Sequence, residues 1–412
     1  MIVVAHAGLH QLEDSIGSLA DHRVRGGAQV VLVDNGSADH CGTAAKRRWP
    51  WLDVVRSDVN LGFAGGVDLG AEAASGDVLI LLNDDAAADE GFVEAHERAL
   101  ARHPGAAVSA GRMVSWDRDR HDFVRGAVTF DVHAFQIGQG CPVGDLDPPD
   151  DGEPLAFPCG GNMAIRRRDW EAIEGFDRNL FAYFEDVELG WRLWACDRAV
   201  VATPGAAARH RGAATSSGLG DFRRGVLFER NALRTFFACA DDEHRSALGA
   251  AVTMTFLHRL TAFAERDAAL HGLAADPFGP TPPPLGRAER WRRRVRERGV
   301  LGAARHLLSR LLVGPQVGAP RIRDGHFLMQ LRAASGVFSG FGETEQRRRW
   351  LASRRTVSDR DILSRFPRLV VPTYPGDDVW FSSDAFATLV PDDWPLETRR
   401  LDQVLHADLV AG

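Results

Sequence analysis

The stretch Val78-Leu79-Ile80-Leu81-Leu82-Asn83-Asp84-Asp85 decides the fold. Five consecutive aliphatic residues are what a strand buried on both faces requires, and the run stops abruptly at a polar triplet. Working outward, Met1–Ala5, Val30–Val33, Val54-Val55 and Ala106–Ala110 read as further short strands. Between them Leu9, Leu12, Ile16 and Leu19 recur at helical spacing, and the segments from Ser37 to Lys46, from Gly66 to Ala74 and Glu90–Arg102 read as helices. This alternation predicts an α/β fold with a mostly parallel central sheet. Asp34 and Asn83-Asp84-Asp85 both stand at the carboxyl ends of strands, where open α/β sheets bind ligands, so one crevice is expected to hold them. From about Phe222 the pattern turns helical, Pro277–Gly286 reads as a stiff linker, and residues 287–310 hold nine arginines against two glutamates. The expected organisation is an α/β unit at 1–225, a helical segment at 226–276, a Pro-rich linker at 277–286 and a mostly helical extension at 287–412.

With 412 residues, 45% of them hydrophobic and 25% charged, the chain is long enough for two or three folded domains. A net charge of −7 excludes a globally basic nucleic-acid coat. The five cysteines, Cys41, Cys141, Cys159, Cys196 and Cys239, contain no C-x-x-C pair. That argues against a disulfide framework or a structural zinc site and suits a reducing cytoplasm. The longest apolar candidate, Ala247–Leu257, falls short of the ~18 residues a membrane-spanning helix needs, and the N-terminus enters a strand without the features of a signal peptide. In 287–312, Arg290, Arg292, Arg293, Arg294, Arg296 and Arg298 lie beside Trp291, Val295, Leu301 and Leu307. Such a segment is either a solvated helix face or a contact with an anionic membrane surface. The expectation is a cytoplasmic protein that can sit peripherally on the inner face of the plasma membrane.

Three groups of residues have the chemistry of a site. The hard oxygens of Asn83-Asp84-Asp85 suit Mg²⁺ or Mn²⁺ completed by phosphate and water, although a polar turn capping the next helix has the same composition. Phe181-Ala182-Tyr183-Phe184-Glu185-Asp186-Val187-Glu188 sets acids among aromatics at a helix start. A partly desolvated carboxylate there can act as a general base, and the alternative is that Glu185 and Asp186 only complement the helix dipole. His210 is a metal ligand if it folds back toward Asp85 and a surface histidine otherwise. Gly62–Gly66 lacks the G-x-G-x-x-G order of a dinucleotide loop, and Gly160-Gly161-Asn162 is either a tight turn or a close backbone approach. Trp170, Phe176, Trp191 and Trp194 read as core.

Taken in order, Val33-Asp34-Asn35-Gly36-Ser37, Asn60–Gly66, Leu81–Asp85, Gly160–Arg167, Gly175-Phe176-Asp177 through Phe184–Leu189, and then His210 resemble glycosyltransferase family 2, in particular its rhamnosyltransferase-like bacterial branch. The resemblance covers residues 1–215. It implies a GT-A fold, a nucleotide-diphospho-sugar donor, inversion at the anomeric carbon and Mg²⁺ or Mn²⁺. It further implies donor contacts at Asp34, Asn60, Asn83 and Asp84, metal ligation by Asp85 with His210, and a base at Asp186 beside Glu185. The chain departs from the family in carrying Asn83 where many members have Asp, and Val67-Asp68 after the glycines. The expected activity is transfer of a sugar, a hexose such as rhamnose, to a glycan, a polyprenyl-linked acceptor or a small molecule, as in cell-envelope polysaccharide synthesis. A sugar-nucleotidyltransferase and a non-catalytic scaffold derived from a transferase are the alternatives.

Overall fold

The computed structural model describes residues 1–6, 8–212, 220–263, 325–374 and 376–405. The Pro-rich linker at 277–286 and the arginine-rich segment 287–312 lie outside them.

The first half builds a sheet strand by strand. Strands β1 (Ile2–Ala5), β2 (Val31–Asn35), β3 (Asp53–Ser57) and β4 (Val78–Leu82) alternate with helices α1 (Leu9–Gly26), α2 (Cys41–Arg48) and α3 (Gly62–Ala73). They pair in parallel in the order β3-β2-β1-β4. Successive side chains of a strand point to opposite faces. Accordingly Ile80 and Leu82 pack with Leu12, Ile16 and Leu19 of α1 on one side, while Leu79 and Leu81 pack with Ala64, Val67 and Ala71 of α3 on the other. This is why the run at 78–82 has no polar face.

Beyond β4 the sheet becomes mixed. It continues through β10 (Asn162–Arg166), β6 (Ala106–Ser115), β11 (Ala199–His210) and β5 (Ala86–Ala88), with β7 (His121–Phe123) also on β6. β10 runs antiparallel to both β4 and β6, and β11 runs parallel to β6 but antiparallel to β5. Helix α4 (Phe92–Arg102) buries Phe92, Val93, Ala99 and Leu100. A separate hairpin, β8 (Arg125–Val128) with β9 (Ala134–Ile137), stands off the sheet. Helices α5 (Arg167–Ala172) and α6 (Glu185–Ala195) flank a 3₁₀ turn at Arg178–Leu180.

The C-terminal part is built on two long helices, α7 (Gly220–Cys239) and α8 (Asp242–Phe263), against which α9 (Gly325–Ser339) and α10 (Phe341–Ala352) pack. Three short helices, α11 (Asp359–Arg365), α12 (Asp377–Phe381) and α13 (Asp384–Ala387), and the strand pair β12 (Arg368–Val370) with β13 (Leu396–Thr398) follow. This part is fastened to the sheet domain by buried polar contacts. Asp359 accepts from Trp191 Nε1 at 2.8 Å and meets His244 Nδ1 at 3.0 Å, and the backbone of Phe130 donates to Leu369 at 2.9 Å. No helix among the described residues is long and apolar enough to cross a membrane; the run 247–257 lies within α8, which carries Asp242, Glu243, Arg245 and Arg259.

Candidate active site

Strands β2 and β4 run parallel on either side of β1, so their polar carboxyl ends emerge at the same edge of the sheet, and each is held by a different local device. At the end of β2, Asp34 is buried, its Oδ1 accepting from Ser37 N at 3.0 Å and its Oδ2 from Gly42 N at 3.1 Å and Arg56 Nη1 at 2.6 Å. Burial disfavours the carboxylate, but these donors outweigh it and hold the Asp34 pKa below the ordinary value. Both oxygens of Asp34 are therefore committed to the turn at 34–42 and to Arg56. The neighbouring Asn35, which the sequence reading did not single out, ties this turn to the next. Its Nδ2 donates to Asn60 Oδ1 at 3.2 Å and Gly62 O at 2.8 Å, and its Oδ1 accepts from Leu61 N at 2.9 Å. Gly62 has φ +73°, and a Cβ there would stand 2.3 Å from Phe181 O, so only glycine fits.

At the end of β4, Asn83 N donates to Gly161 O at 3.1 Å, and a Cβ on Gly161 would lie 2.6 Å from Asn83 Nδ2. The Gly160-Gly161 turn is thus a close backbone approach. On its other side Gly160 N donates to Asp186 Oδ2 at 3.1 Å. One glycine pair consequently links the strand-end triplet to the acids at the start of α6.

His210 does fold back to Asp85, and the topology explains how. Strand β5 starts directly after Asp85, and β11 pairs with it antiparallel so that His210 stands opposite Ala86. The result is His210 Nε2 at 2.9 Å from Asp85 Oδ1 and 3.4 Å from Asn83 Nδ2, with Nδ1 at 2.5 Å from Asp122 Oδ2. Burial opposes a charged imidazole, yet the hydrogen bonds and charges of Asp122 and Asp85 push its pKa up to about 10. A carboxylate oxygen and an imidazole nitrogen this close are a donor set suited to Mn²⁺ or Mg²⁺. Among the described residues no group of three or more His, Cys, Asp or Glu side chains converges as a metal cage. Two protein ligands agree with a cation that draws its remaining oxygens from phosphate and water.

The acids at α6 sit behind a strained segment. Phe181, Tyr183 and Phe184 all have positive φ, at 67°, 68° and 67°. Such a conformation costs about 1–3 kcal/mol per residue and persists only where the surroundings over-determine it. They do so here: Asn231 Nδ2 on α7 lies 2.9 Å from Leu180 O, 2.9 Å from Ala182 O and 2.8 Å from Tyr183 O, and Arg230 Nη2 donates to Asn179 O at 2.8 Å. The sequence reading missed Asn231. Glu185 is buried, its Oε2 without a hydrogen-bond partner among the described residues, whereas Asp186 is partly exposed and accepts from Gly160 N and, at 2.9 Å, from Val187 N. Burial and the adjacent Asp186 charge drive the Glu185 pKa well up. Burial raises Asp186 as well, but the backbone donors favour its anion. The two environments differ, the Glu185 carboxyl being driven up further than that of Asp186, whose anion the backbone donors favour. Next to the acids in sequence, Tyr183 and Phe184 both contact Phe228, Tyr183 tilted at 41° with ring centroids 4.7 Å apart and Phe184 edge-on at 5.4 Å, and Phe228 is 36% exposed.

The chain is similar in part to known proteins. Residues 1–172 match the model of "Glycosyl transferase family 2". Two Mycobacterium tuberculosis sequences, of strains CDC 1551 / Oshkosh and ATCC 25618 / H37Rv, both named N-acetylglucosaminyl-diphospho-decaprenol L-rhamnosyltransferase, are 28% identical over 208 residues, which is 44% of this chain. The match spans 66% of the length of those relatives. Among solved structures, GalNAc-T7 with UDP, GalNAc and Mn²⁺ aligns with a TM-score of 0.47 at 15% identity over 64% of this chain and 50% of its own. A mannosyltransferase from Pyrobaculum calidifontis in complex with GDP-Man and Mn²⁺ aligns with a TM-score of 0.42 at 14% identity over 83% of this chain and 86% of its own. The ordered motifs, the α/β sheet that carries them and the match over residues 1–172 make the N-terminal part of this chain similar to glycosyltransferase family 2 and support that assignment for it.

Proposed function

We propose that the protein is an inverting glycosyltransferase that moves a sugar from a nucleotide-diphospho-sugar to an acceptor hydroxyl. The observation that carries this reading is the Gly160-Gly161 bridge, which sets Asp186 and the Asn83–Asp85 triplet on either side of one turn. The nucleoside diphosphate lies along the ends of β2 and β4, near Asp34, Asn60, Asn83 and Asp84. Asp34 serves it indirectly, through the turn and the Arg56 guanidinium that it fixes. Asp85 and His210 hold Mg²⁺ or Mn²⁺, which supplies charge neutralisation for the departing diphosphate. Asp186 takes the acceptor proton as the new glycosidic bond forms, with the buried Glu185 carboxyl beside it.

The relatives named for rhamnosyl transfer to a diphospho-decaprenol suggest a polyprenyl-linked acceptor, and the partly exposed Phe228 beside Tyr183 offers an apolar surface for it. Such an acceptor would bring the protein to the cytoplasmic face of a membrane. Co-sedimentation with anionic liposomes at low and high salt tests this, since contact through residues 287–312 must weaken as salt rises.

The catalytic assignment is tested by Asp186→Asn, which is nearly isosteric and cannot accept a proton. Turnover is expected to fall by roughly 10²–10⁴ with donor affinity retained. Wild-type turnover in this variant moves the base elsewhere, and greater loss in Glu185→Gln than in Asp186→Asn reverses the roles. The donor itself is found by thermal shift against a panel of nucleotide sugars, because a ligand at 100 times its Kd adds about 2.7 kcal/mol.

A further inference from the structure

We infer that Asp122 is a positioning residue for the metal centre, presenting His210 Nε2 to the cation beside Asp85. The inference rests on the reading of Asp85 and His210 as ligands and adds a residue that neither the motifs nor the family match at the triplet assigns.

The geometry is a chain of contacts. Gln139 Nε2 donates to Asp122 Oδ1 at 3.1 Å, Asp122 Oδ2 lies 2.5 Å from His210 Nδ1, and His210 Nε2 lies 2.9 Å from Asp85 Oδ1. An ionised carboxylate only accepts hydrogen bonds, so Asp122 fixes the proton of His210 on Nδ1. When a cation displaces the other ring proton, Nε2 is the ring atom left to ligate, and it is the one that faces Asp85. A histidine whose far nitrogen is held by a carboxylate is the usual arrangement of a metal-ligating imidazole, because the carboxylate sets the ring orientation and raises ligand basicity.

Strand pairing builds the contact. β7 carries Asp122 and pairs with the end of β6, and the same end of β6 pairs with His210 of β11. Asp122 and His210 therefore come from two strands that share β6 as a neighbour, which fixes their separation by backbone hydrogen bonds rather than by flexible loops. The Asp122 side chain is 19% exposed and that of His210 13%, so water competes little for the bond. The alternative is that Asp122 only stabilises the β6–β7 turn. In that case its removal would change stability and leave the imidazole's relation to the metal unchanged.

The test uses the full chain with Mn²⁺ and inorganic pyrophosphate as the probe. Pulsed EPR of bound Mn²⁺ reads nitrogen hyperfine modulation from a coordinated imidazole, and titration reads affinity. The wild type is expected to show the modulation and His210→Ala to lose it. Asp122→Ala is expected to weaken Mn²⁺ binding 10–100-fold and diminish the modulation, and Asp122→Asn, whose amide oxygen still accepts from Nδ1, to recover part of both. Gln139→Ala removes only the outer, exposed bond and serves if Asp122→Ala does not fold; a smaller loss in the same direction is expected. Wild-type affinity and modulation in Asp122→Ala, or in Gln139→Ala when it is the folded variant, overturns the inference alone. Absence of nitrogen modulation in the wild type overturns His210 as a ligand and this inference with it.

Discussion

His133 and His210 are buried to the same degree, with side chains 12% and 13% exposed, and each lies between two carboxylates. Burial and pairing therefore do not separate them; the partners of their partners do. His133 Nδ1 meets Asp131 Oδ2 at 3.1 Å and its Nε2 meets Glu229 Oε1 at 3.1 Å. Asp131 in turn accepts from Thr129 Oγ1 at 2.5 Å and Arg259 Nη1 at 2.6 Å, Glu229 accepts from Tyr374 Oη, and Arg259 continues to Asp377 at 2.9 Å. That network joins the turn between β8 and β9 to α7, α8 and the start of α12, so it rivets the C-terminal helices to the sheet domain. His210 instead stands at a strand end beside Asp85 and within 3.4 Å of Asn83 Nδ2. The same three-body motif serves as a fastener where its carboxylates are tied into a wider network and, in the function proposed above, as a ligand pair at a strand end.

The comparison breaks most severely if the fastener is not one. Arg259→Met keeps much of the side-chain volume but strips the cation from Asp131 and Asp377, both buried. Stripping two buried carboxylates of their guanidinium, with His133 and Thr129 left to Asp131 and backbone donors left to Asp377, is expected to destabilise the fold by roughly 3 kcal/mol, measured by denaturant unfolding, with turnover per folded molecule unchanged at low temperature. A variant as stable as the wild type would mean that the network is solvated and carries no load.

The mirror experiment is His210→Gln. Turnover is expected to drop by roughly 10²–10³, the usual effect of deleting one group aimed at developing charge, while the loss of stability is smaller than in Arg259→Met because Asp122, 19% exposed, keeps access to water. Equal losses of stability in His210→Gln and Arg259→Met would erase the distinction between the two imidazoles.

The residues that were legible in the sequence are those whose environment is local. Val78–Leu82 declares a doubly buried strand because each of its faces needs an apolar side chain, and Asp85 inherits its place from that strand. Trp170, Phe176, Trp191 and Trp194 are core, at 6%, 2%, 3% and 8% exposure. The sheet beyond β4 was less legible, because β10 and β11 are inserted between and beside earlier strands by pairings that no local pattern encodes. For the same reason Asp122, 88 residues from His210, and Asn231, about 50 residues from the carbonyls it holds, carried no local signal. Asp34 was recognisable as a motif residue, but its bond to Arg56 depends on the β2–β3 register, in which the two stand side by side.

The smallest effect sharpens the comparison through pH. Burial lowers the pKa of His133, but the charges of Asp131 and Glu229 outweigh it and raise the value from 6.5 to about 10. The folded state thus holds a proton that the unfolded chain releases near 6.5, so the stability His133 contributes is complete below that pH and is lost as pH rises toward about 10. The opposite sign holds for Asp131 and Glu229, whose pKa values are depressed below 3.8 and 4.5 despite burial, mainly by Arg259 and His133; their contribution is present above those values and is lost on acidification. The network is therefore at full strength between about pH 4.5 and 6.5. Between pH 7 and 8 this one group can remove at most about 1.4 kcal/mol of stability. Unfolding curves at these two pH values, for the wild type and His133→Gln, check the sign. The wild type should lose stability over this step by more than the variant does, and an identical pH dependence in both would show that His133 enters the folded state uncharged.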